Sequence, residues 1–269
     1  MSPDAVWISQ QWRLLLDALE EPPTAGCYNN PNVVSAEQAG RLSVPDAVLG
    51  RVLETSPATD RERTAIRAAE FLADHLRHDE VANQCHNLSL ELFMMFDQLG
   101  VPSVPVWGTL WAETRDGIPQ FVLTPYIERE ADIHRPGHSW IVTPELPVID
   151  VALKHQEWVE GNYEFHRGSI PAVVVGDRRT LDVRPDRRWL TPPGVDPLPN
   201  DMFETDALKY FSSLGWSEVV MGDLILRYIP NAVALPDVGD DLHRAPPLIA
   251  GETPHRFFRR RLSRALRNS

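Results

Sequence analysis

The sequence predicts an α+β protein in which a helical N-terminal part precedes one buried helix and an antiparallel sheet. Two observations favour this class. Apolar residues recur at helical spacing as far as Gly100, whereas the chain after Val101 is rich in β-branched and aromatic residues separated by short turns. The 269 residues can bury a sizeable core, and contents of 43% hydrophobic and 24% charged residues are typical of a folded globular chain.

The N-terminal part is predicted to contain three helices and one segment of little regular structure, namely helices at 5–20, near 45–54 and at 60–78, and the irregular segment at 22–45. Asp60 is a candidate N-cap for the third helix. A fourth helix starts near Cys85 and stops at Gly100. Because apolar residues fall nearly all round this fourth helix, we expect it to be buried.

The sheet is predicted from the segments that follow, with strands at 101–111, 120–127, 138–143, 148–153 and a strand end at 172–175. Asp116-Gly117 marks a turn, and Pro144 and Pro147 mark a loop or a bulge between two strands. A loop is expected at 178–200 and a short helix at 206–214. The pattern at 218–228 fits either a strand or a helix.

Composition and charge divide the chain into four parts: a helical part at 1–80, a core with its C-terminal elaboration at 81–229, a proline-rich linker at 230–254 and a basic amphipathic tail at 255–269. The net charge of −12 argues against a nucleic-acid-binding surface over most of the chain. The tail differs, because it carries six arginines and no acid, with Phe258, Leu262 and Ala265 on one helical face. It offers contact with an anionic surface, such as a membrane or RNA, or packs on the acidic body.

Cysteine usage and the N-terminus favour a cytoplasmic protein. The only two cysteines, Cys27 and Cys85, would be a sparse disulfide framework, so both thiols are expected to be free. The N-terminus lacks the pattern of a signal peptide. The sequence contains no run of about 18 apolar residues, so no transmembrane helix is predicted. Cys27 lies in a Gly/Asn/Pro-rich stretch, where a surface or packing role is expected.

Cys85 stands where a polar stretch meets the start of the buried helix. A thiol attacks well only as the thiolate, and the positive end of a helix dipole favours that form. The unpaired N–H groups of the first helical turn also suit an oxyanion. Side-chain candidates for the oxyanion or the substrate are Asn83, Gln84, Asn87 and Trp140, the last on the same strand face as the histidine described next.

His138 and Asp150 supply the groups that such a thiol needs. His138 follows Gly137 at the opening of a strand, and Asp150 interrupts the apolar run of the next strand, where a carboxylate is costly unless it is paired. The two strands are separated by a turn, so antiparallel pairing would bring His138 and Asp150 side by side. A base oriented by a carboxylate is the usual arrangement for activating a nucleophile.

These features together resemble the transglutaminase-like superfamily: a cysteine at the start of a buried helix, a strand opening with Gly-His-Ser-Trp and a strand carrying Val-Ile-Asp-Val. The resemblance covers about 80–155. It implies a helix packed on an antiparallel sheet and a papain-like triad, with Cys85 as nucleophile, His138 as base and Asp150 as orienting acid. The implied activity is cysteine-dependent acyl transfer through a thioester, as hydrolysis, deamidation or transamidation of a peptide, protein or small amide, without a cofactor.

Two other functions compete with this interpretation. The first is a non-catalytic transglutaminase-like module that binds a peptide or partner. The second is a metal site built from Cys85, His86, His134 and His138. Pro136-Gly137 argues against a helical His134/His138 ligand pair, and we therefore predict no metal.

Overall fold

The computed structural model describes residues 3–19, 30–77, 81–82, 84–125, 137–156, 170–190, 213–236 and 252–267. Within these ranges the protein is an α+β structure, with helices packed around a strongly curved antiparallel sheet. One hydrophobic core cluster contains residues from the N-terminal helices, the helix that starts at Cys85, the sheet and the C-terminal tail.

Among the described residues, four helices form the N-terminal part: α1 (Pro3–Leu19), α2 (Pro31–Gln38), α3 (Val44–Glu54) and α4 (Thr59–Ala73). Helix α2 was not predicted, because its Asn-Pro start is typical of a turn. In the structure, the Asn30 side chain accepts a hydrogen bond from the Asn32 backbone N–H at 2.9 Å, and Pro31 occupies the first turn. Both features also stabilise a helix start, and buried Val33 and Ala36 hold α2 against the core.

The start of α4 differs from the predicted Asp60 cap. Its N-cap is Ala58, whose backbone N–H donates to the Glu145 carboxylate at 3.0 Å, and Arg61 binds the same carboxylate at 3.1 Å. Asp60 therefore lies inside the first turn. The helix ends at Ala73 and not near His78. A cap supplied by a residue so distant in sequence cannot be deduced from local spacing.

Helix α5 (Cys85–Gln98) confirms the predicted buried helix, which Gly100 ends with a left-handed φ of 71°. Nine of its residues are buried, and its main neighbour is strand β3 (His138–Val142). A buried ion pair between Arg51 of α3 and Asp97 of α5, at 3.0 Å, joins the helical part to this helix.

The sheet has seven strands: β1 (Val104–Thr114), β2 (Pro119–Leu123), β3, β4 (Val148–Asp150), β5 (Val174–Gly176), β6 (Ser217–Met221) and β7 (Leu224–Val233). Their order is β5-β4-β3-β1-β7-β6, with β2 also paired to β1. Strand β1 is central, because it pairs with β3 through its first half, with β2 through its second half and with β7 along its other edge.

The two ends of the sheet approach each other, so that the sheet is nearly a closed barrel. A bridge joins Thr180 to Trp216 just before β6. The Ser217 hydroxyl donates to the Arg178 carbonyl at 2.8 Å, and a side chain at Gly176 of β5 would lie 2.9 Å from the Ser217 oxygen. These contacts connect the chain that leaves β5 to the start of β6.

Several strand boundaries differ from the predicted ones. Strand β1 extends to Thr114, and β4 stops at Asp150, where a turn leads into a 3-10 helix at Leu153–His155. The ambiguous segment at 218–228 belongs to the β6–β7 hairpin, whose turn contains Gly222 with φ 58°. Strand β7 also continues into the predicted linker, as far as Val233. Of the predicted helix at 206–214, only residues 213 and 214 are described, and both are helical. Most of 230–254 lies outside the described residues.

The tail is helical and packs on α4. It comprises α6 (Pro254–Phe257), a π-helical turn at Phe258–Leu262 and α7 (Ser263–Arg267). Phe257 and Leu262 are buried, while all six arginines are exposed. The π turn changes the register, so that Phe257 and not Phe258 is the main apolar contact. Contact of these arginines with an anionic surface remains a prediction. Among the described residues, every helix is too short or too polar to span a bilayer.

Candidate active site

The structure brings Cys85, His138 and Asp150 together at the junction of α5 with β3 and β4. Strands β3 and β4 are antiparallel, with Ile141 opposite Ile149, which confirms the predicted pairing. His138 Nε2 donates to Asp150 Oδ2 at 2.7 Å, and both side chains are fully buried. Cys85 is half-buried at the first position of α5.

Asp150 is held in one orientation by hydrogen bonds to both of its oxygens. Its Oδ1 accepts the backbone N–H groups of Ala152 and Leu153, at 2.8 and 3.0 Å. Its Oδ2 accepts His138 Nε2–H and the Tyr228 hydroxyl, the latter at 3.0 Å. The early end of β4 makes this arrangement possible, because the turn after Asp150 directs two N–H groups back at the carboxylate.

The imidazole of His138 has one nitrogen committed to Asp150 and one left for the thiol. The Nδ1 atom is buried and makes no regular hydrogen bond with a described residue. Because Cys85 and His138 interact and Nε2 is bound to Asp150, we assign the contact with the thiol to Nδ1, at a geometry looser than a regular hydrogen bond.

Electrostatics favour a charged thiolate–imidazolium pair. Burial raises the pKa of the Cys85 thiol, but hydrogen bonding and charge from His138 and the Ser139 backbone N–H outweigh it, so the pKa lies below its ordinary value. Burial lowers the pKa of His138, yet the charge and hydrogen bond of Asp150, with Cys85, raise it well above its ordinary value. Both shifts stabilise the transfer of the thiol proton to the histidine.

Trp140 lies beside the triad but fills a packing role. Its ring is stacked with that of His138 at a centroid distance of 6.4 Å and meets Tyr228 edge-on at 5.2 Å. Gly108, opposite His138 in the register, leaves room for it, because a Cβ there would lie 2.7 Å from Trp140 and 2.1 Å from the Ile229 carbonyl oxygen.

Three further candidates from the sequence, Gln84, Asn87 and His86, lie at the start of α5 next to Cys85. Asn87 Nδ2 donates to Gln84 Oε1 at 2.7 Å, so these two side chains pair with each other at the start of α5. His86 is half-buried, with a pKa lowered by burial and an Nδ1 atom without a hydrogen-bond partner among the described residues. Asn83, Cys27 and His134 lie outside the described residues.

Two residues of the site were not predicted, Tyr228 and Trp107. The Trp107 ring lies 5.8 Å from that of His86, and a Cβ on Gly137 would fall 1.7 Å from its Nε1 atom. The indole therefore sits between the residue after Cys85 and the residue before His138. Its buried N–H has no hydrogen-bond partner among the described residues. Nothing in the local sequence distinguishes Trp107 or Tyr228 from an ordinary core aromatic residue.

Comparison with known proteins yields no match among protein-family models, curated proteins or solved structures. Within the described part of the chain, no group of three or more His, Cys, Asp and Glu side chains is arranged to hold a metal ion.

Proposed function

We propose that the protein is a cysteine-dependent acyl-transfer enzyme that works through a thioester on Cys85. The observation that carries the proposal is the 2.7 Å bond from His138 Nε2 to Asp150 Oδ2, which leaves the opposite ring nitrogen toward a thiol at a helix N-terminus. The thiol, the oriented imidazole and the buried carboxylate form a set of nucleophile, base and orienting acid.

The first step is formation of the thiolate. His138 Nδ1 takes the Cys85 proton, and the imidazolium is stabilised by Asp150, whose two oxygens accept four hydrogen bonds. The dipole of α5 favours the thiolate at its first residue. The lowered pKa of the thiol and the raised pKa of His138 also favour the thiolate–imidazolium pair.

The second step is acyl transfer. The thiolate sulfur attacks the acyl carbon and forms a carbon–sulfur bond, while the bond from that carbon to the leaving nitrogen or oxygen breaks. The imidazolium of His138 gives its proton to the leaving group. Water or an amine then attacks the thioester, His138 accepts its proton, and the carbon–sulfur bond breaks to regenerate the Cys85 thiolate beside the His138 imidazolium. Water gives hydrolysis or deamidation, and an amine gives transamidation.

The oxyanion formed in each attack requires hydrogen-bond donors. Backbone N–H groups of the first turn of α5 have no partners within the helix. Trp107 supplies a further donor, because its buried N–H lacks a partner among the described residues and lies between the neighbours of Cys85 and His138. We assign this role to Trp107 in preference to Gln84 and Asn87, which bind each other.

The same arrangement supports assignment to a transglutaminase-like core. The chain order is a buried helix opened by Cys85, then β3 opened by His138, then β4 closed by Asp150, as expected from the motif resemblance. A peptide, protein or small amide is the substrate class that this assignment implies.

The test is thiol reactivity as a function of pH, followed by a covalent trap. Iodoacetamide labelling of a Cys27→Ser variant, read by intact mass, reports Cys85 alone. We expect labelling to stay fast below pH 8, where an ordinary thiol with a pKa of about 8.5 slows. His138→Ala should slow neutral labelling by roughly tenfold or more, because each unit of thiol pKa changes the thiolate fraction about tenfold. Cys85→Ala is the blank.

In the trap, p-nitrophenyl acetate should leave an acetyl group on the Cys27→Ser protein and none on Cys27→Ser/Cys85→Ala. Labelling of Cys85 with the pH dependence of a free thiol, unaffected by His138→Ala, would refute the proposal. That outcome would favour the non-catalytic binding module, in which Cys85 is an ordinary free thiol.

A further inference from the structure

The Asp150 carboxylate has more hydrogen-bond donors than orientation alone requires. Two backbone N–H groups already fix Oδ1, and His138 Nε2–H binds Oδ2. The Tyr228 hydroxyl binds the same Oδ2 at 3.0 Å, from a strand on the other side of β1. Tyr228 and the His138 ring nitrogen therefore share one carboxylate oxygen.

We infer that Tyr228 is a positioning residue of this site. Its hydroxyl weakens the electrostatic stabilisation that Asp150 gives to the His138 imidazolium. The inference rests on the proposed function, since it concerns the proton balance between Cys85 and His138. A donor on Oδ2 withdraws negative charge from the oxygen that attracts the imidazolium. The imidazolium is then less strongly stabilised and gives up its proton more readily to a leaving group.

Packing alone would not require the hydroxyl. The Tyr228 ring packs edge-on against Trp140 at 5.2 Å and lies 6.3 Å from the His138 ring, contacts that phenylalanine would also make. A buried hydroxyl costs free energy unless it is bonded, and Asp150 is the bonded partner. Burial, the Asp150 charge and this bond keep the pKa of Tyr228 well above its ordinary value, so the hydroxyl remains a donor at any physiological pH.

The two interpretations of Tyr228 predict shifts of opposite sign in Tyr228→Phe. If Tyr228 moderates Asp150, its loss strengthens the pull on the imidazolium and favours the thiolate. The pH midpoint of Cys85 labelling then moves down, by about half a pH unit, which is a fraction of what one hydrogen bond to a charged group contributes. If Tyr228 only supports the fold, the triad loosens and the midpoint moves up or stays unchanged.

The experiment measures iodoacetamide labelling rate against pH, and thiolate absorbance against pH, in the Cys27→Ser background. Thr109→Val is the matched control. It removes a buried hydroxyl from the same sheet, where Thr109 contacts the Thr124 hydroxyl at 3.0 Å, without touching the triad. We expect the downward shift in Tyr228→Phe and no shift in Thr109→Val.

An unchanged or higher midpoint in Tyr228→Phe, with a wild-type midpoint well below that of a free thiol, would overturn this inference and leave the proposed function standing. A wild-type midpoint equal to that of a free thiol would overturn the proposed function itself. If Tyr228→Phe does not fold, a fluorotyrosine at position 228 provides the test. It is a stronger donor, so the midpoint should rise, and a fall or no change would refute the inference.

Discussion

Glu91 lies in the middle of α5 with its carboxyl group buried and, among the described residues, without a hydrogen-bond partner for either oxygen. Burial raises its pKa from 4.5 to about 8. A carboxyl group with a raised pKa in the folded state holds its proton where the unfolded chain has released it. The unfolded state therefore binds fewer protons, and the free energy of unfolding falls as pH rises through that window.

The window is set by the two pKa values, so the loss begins near pH 4.5 and is complete above pH 8. Each pKa unit corresponds to about 1.4 kcal/mol, which gives an upper bound of about 5 kcal/mol. Local relaxation and water entry reduce this figure, and we expect a loss of a few kcal/mol. Glu91→Gln removes the titrating proton at nearly constant volume. It should therefore abolish this pH dependence and stabilise the protein above pH 8.

Urea unfolding at pH 5, 6, 7 and 8.5 provides the measurement, analysed with a two-state model where the transitions coincide for two probes. Glu70→Gln is the matched control, because Glu70 is an exposed glutamate on α4. The difference in the free energy of unfolding between Glu91→Gln and wild type should increase with pH. The difference between Glu70→Gln and wild type should not change with pH. Parallel profiles for Glu91→Gln and wild type would refute the reasoning.

Three further predictions follow from packing. Phe257→Ala should lower the free energy of unfolding by about 3–5 kcal/mol in urea, because Phe257 is buried in the contact of the tail with α4; a change below about 1 kcal/mol would show that the tail does not contribute. Asp97→Asn should lower the free energy of unfolding by about 3–5 kcal/mol, because it removes the carboxylate charge that the buried Arg51 guanidinium binds at 3.0 Å; Arg51→Met/Asp97→Leu, which replaces this pair by apolar side chains, should recover most of that loss in the same assay. Gly137→Ala should slow acetylation of Cys85 by p-nitrophenyl acetate by up to about 10²-fold, because the added methyl group displaces the Trp107 indole; an unchanged rate would remove Trp107 from the mechanism.

The elements that the sequence predicted well depend on local signals. Helix α5 has an apolar periodicity and a terminal glycine, and the pairing of β3 with β4 follows from two apolar runs separated by a short proline-containing loop. The contact of His138 with Asp150 could be predicted because both residues lie on these two adjacent strands, 12 residues apart in sequence.

The elements that it missed depend on contacts distant in sequence. Tyr228 reaches Asp150 across 78 positions, and the α4 cap at Ala58 uses a carboxylate 87 positions away. Helix α2 was missed for a different reason, because Asn30-Pro31 is as typical of a turn as of a helix start. Near-closure of the sheet likewise requires the register of β5 and β6, which no local pattern encodes.

The position of β7 in the chain determines when the cluster around Asp150 can assemble during synthesis. Strand β7 pairs with β1 over nine register positions and brings Tyr228 to Asp150. This β1–β7 pairing can be complete only after residue 233 has been made. A ribosome-bound chain that ends before β6 contains Cys85, His138 and Asp150 but lacks β7 and Tyr228. Long-range strand pairing forms late and slowly. The order of segments thus delays assembly of the cluster formed by Cys85, His138, Asp150 and Tyr228 until β7 has paired with β1.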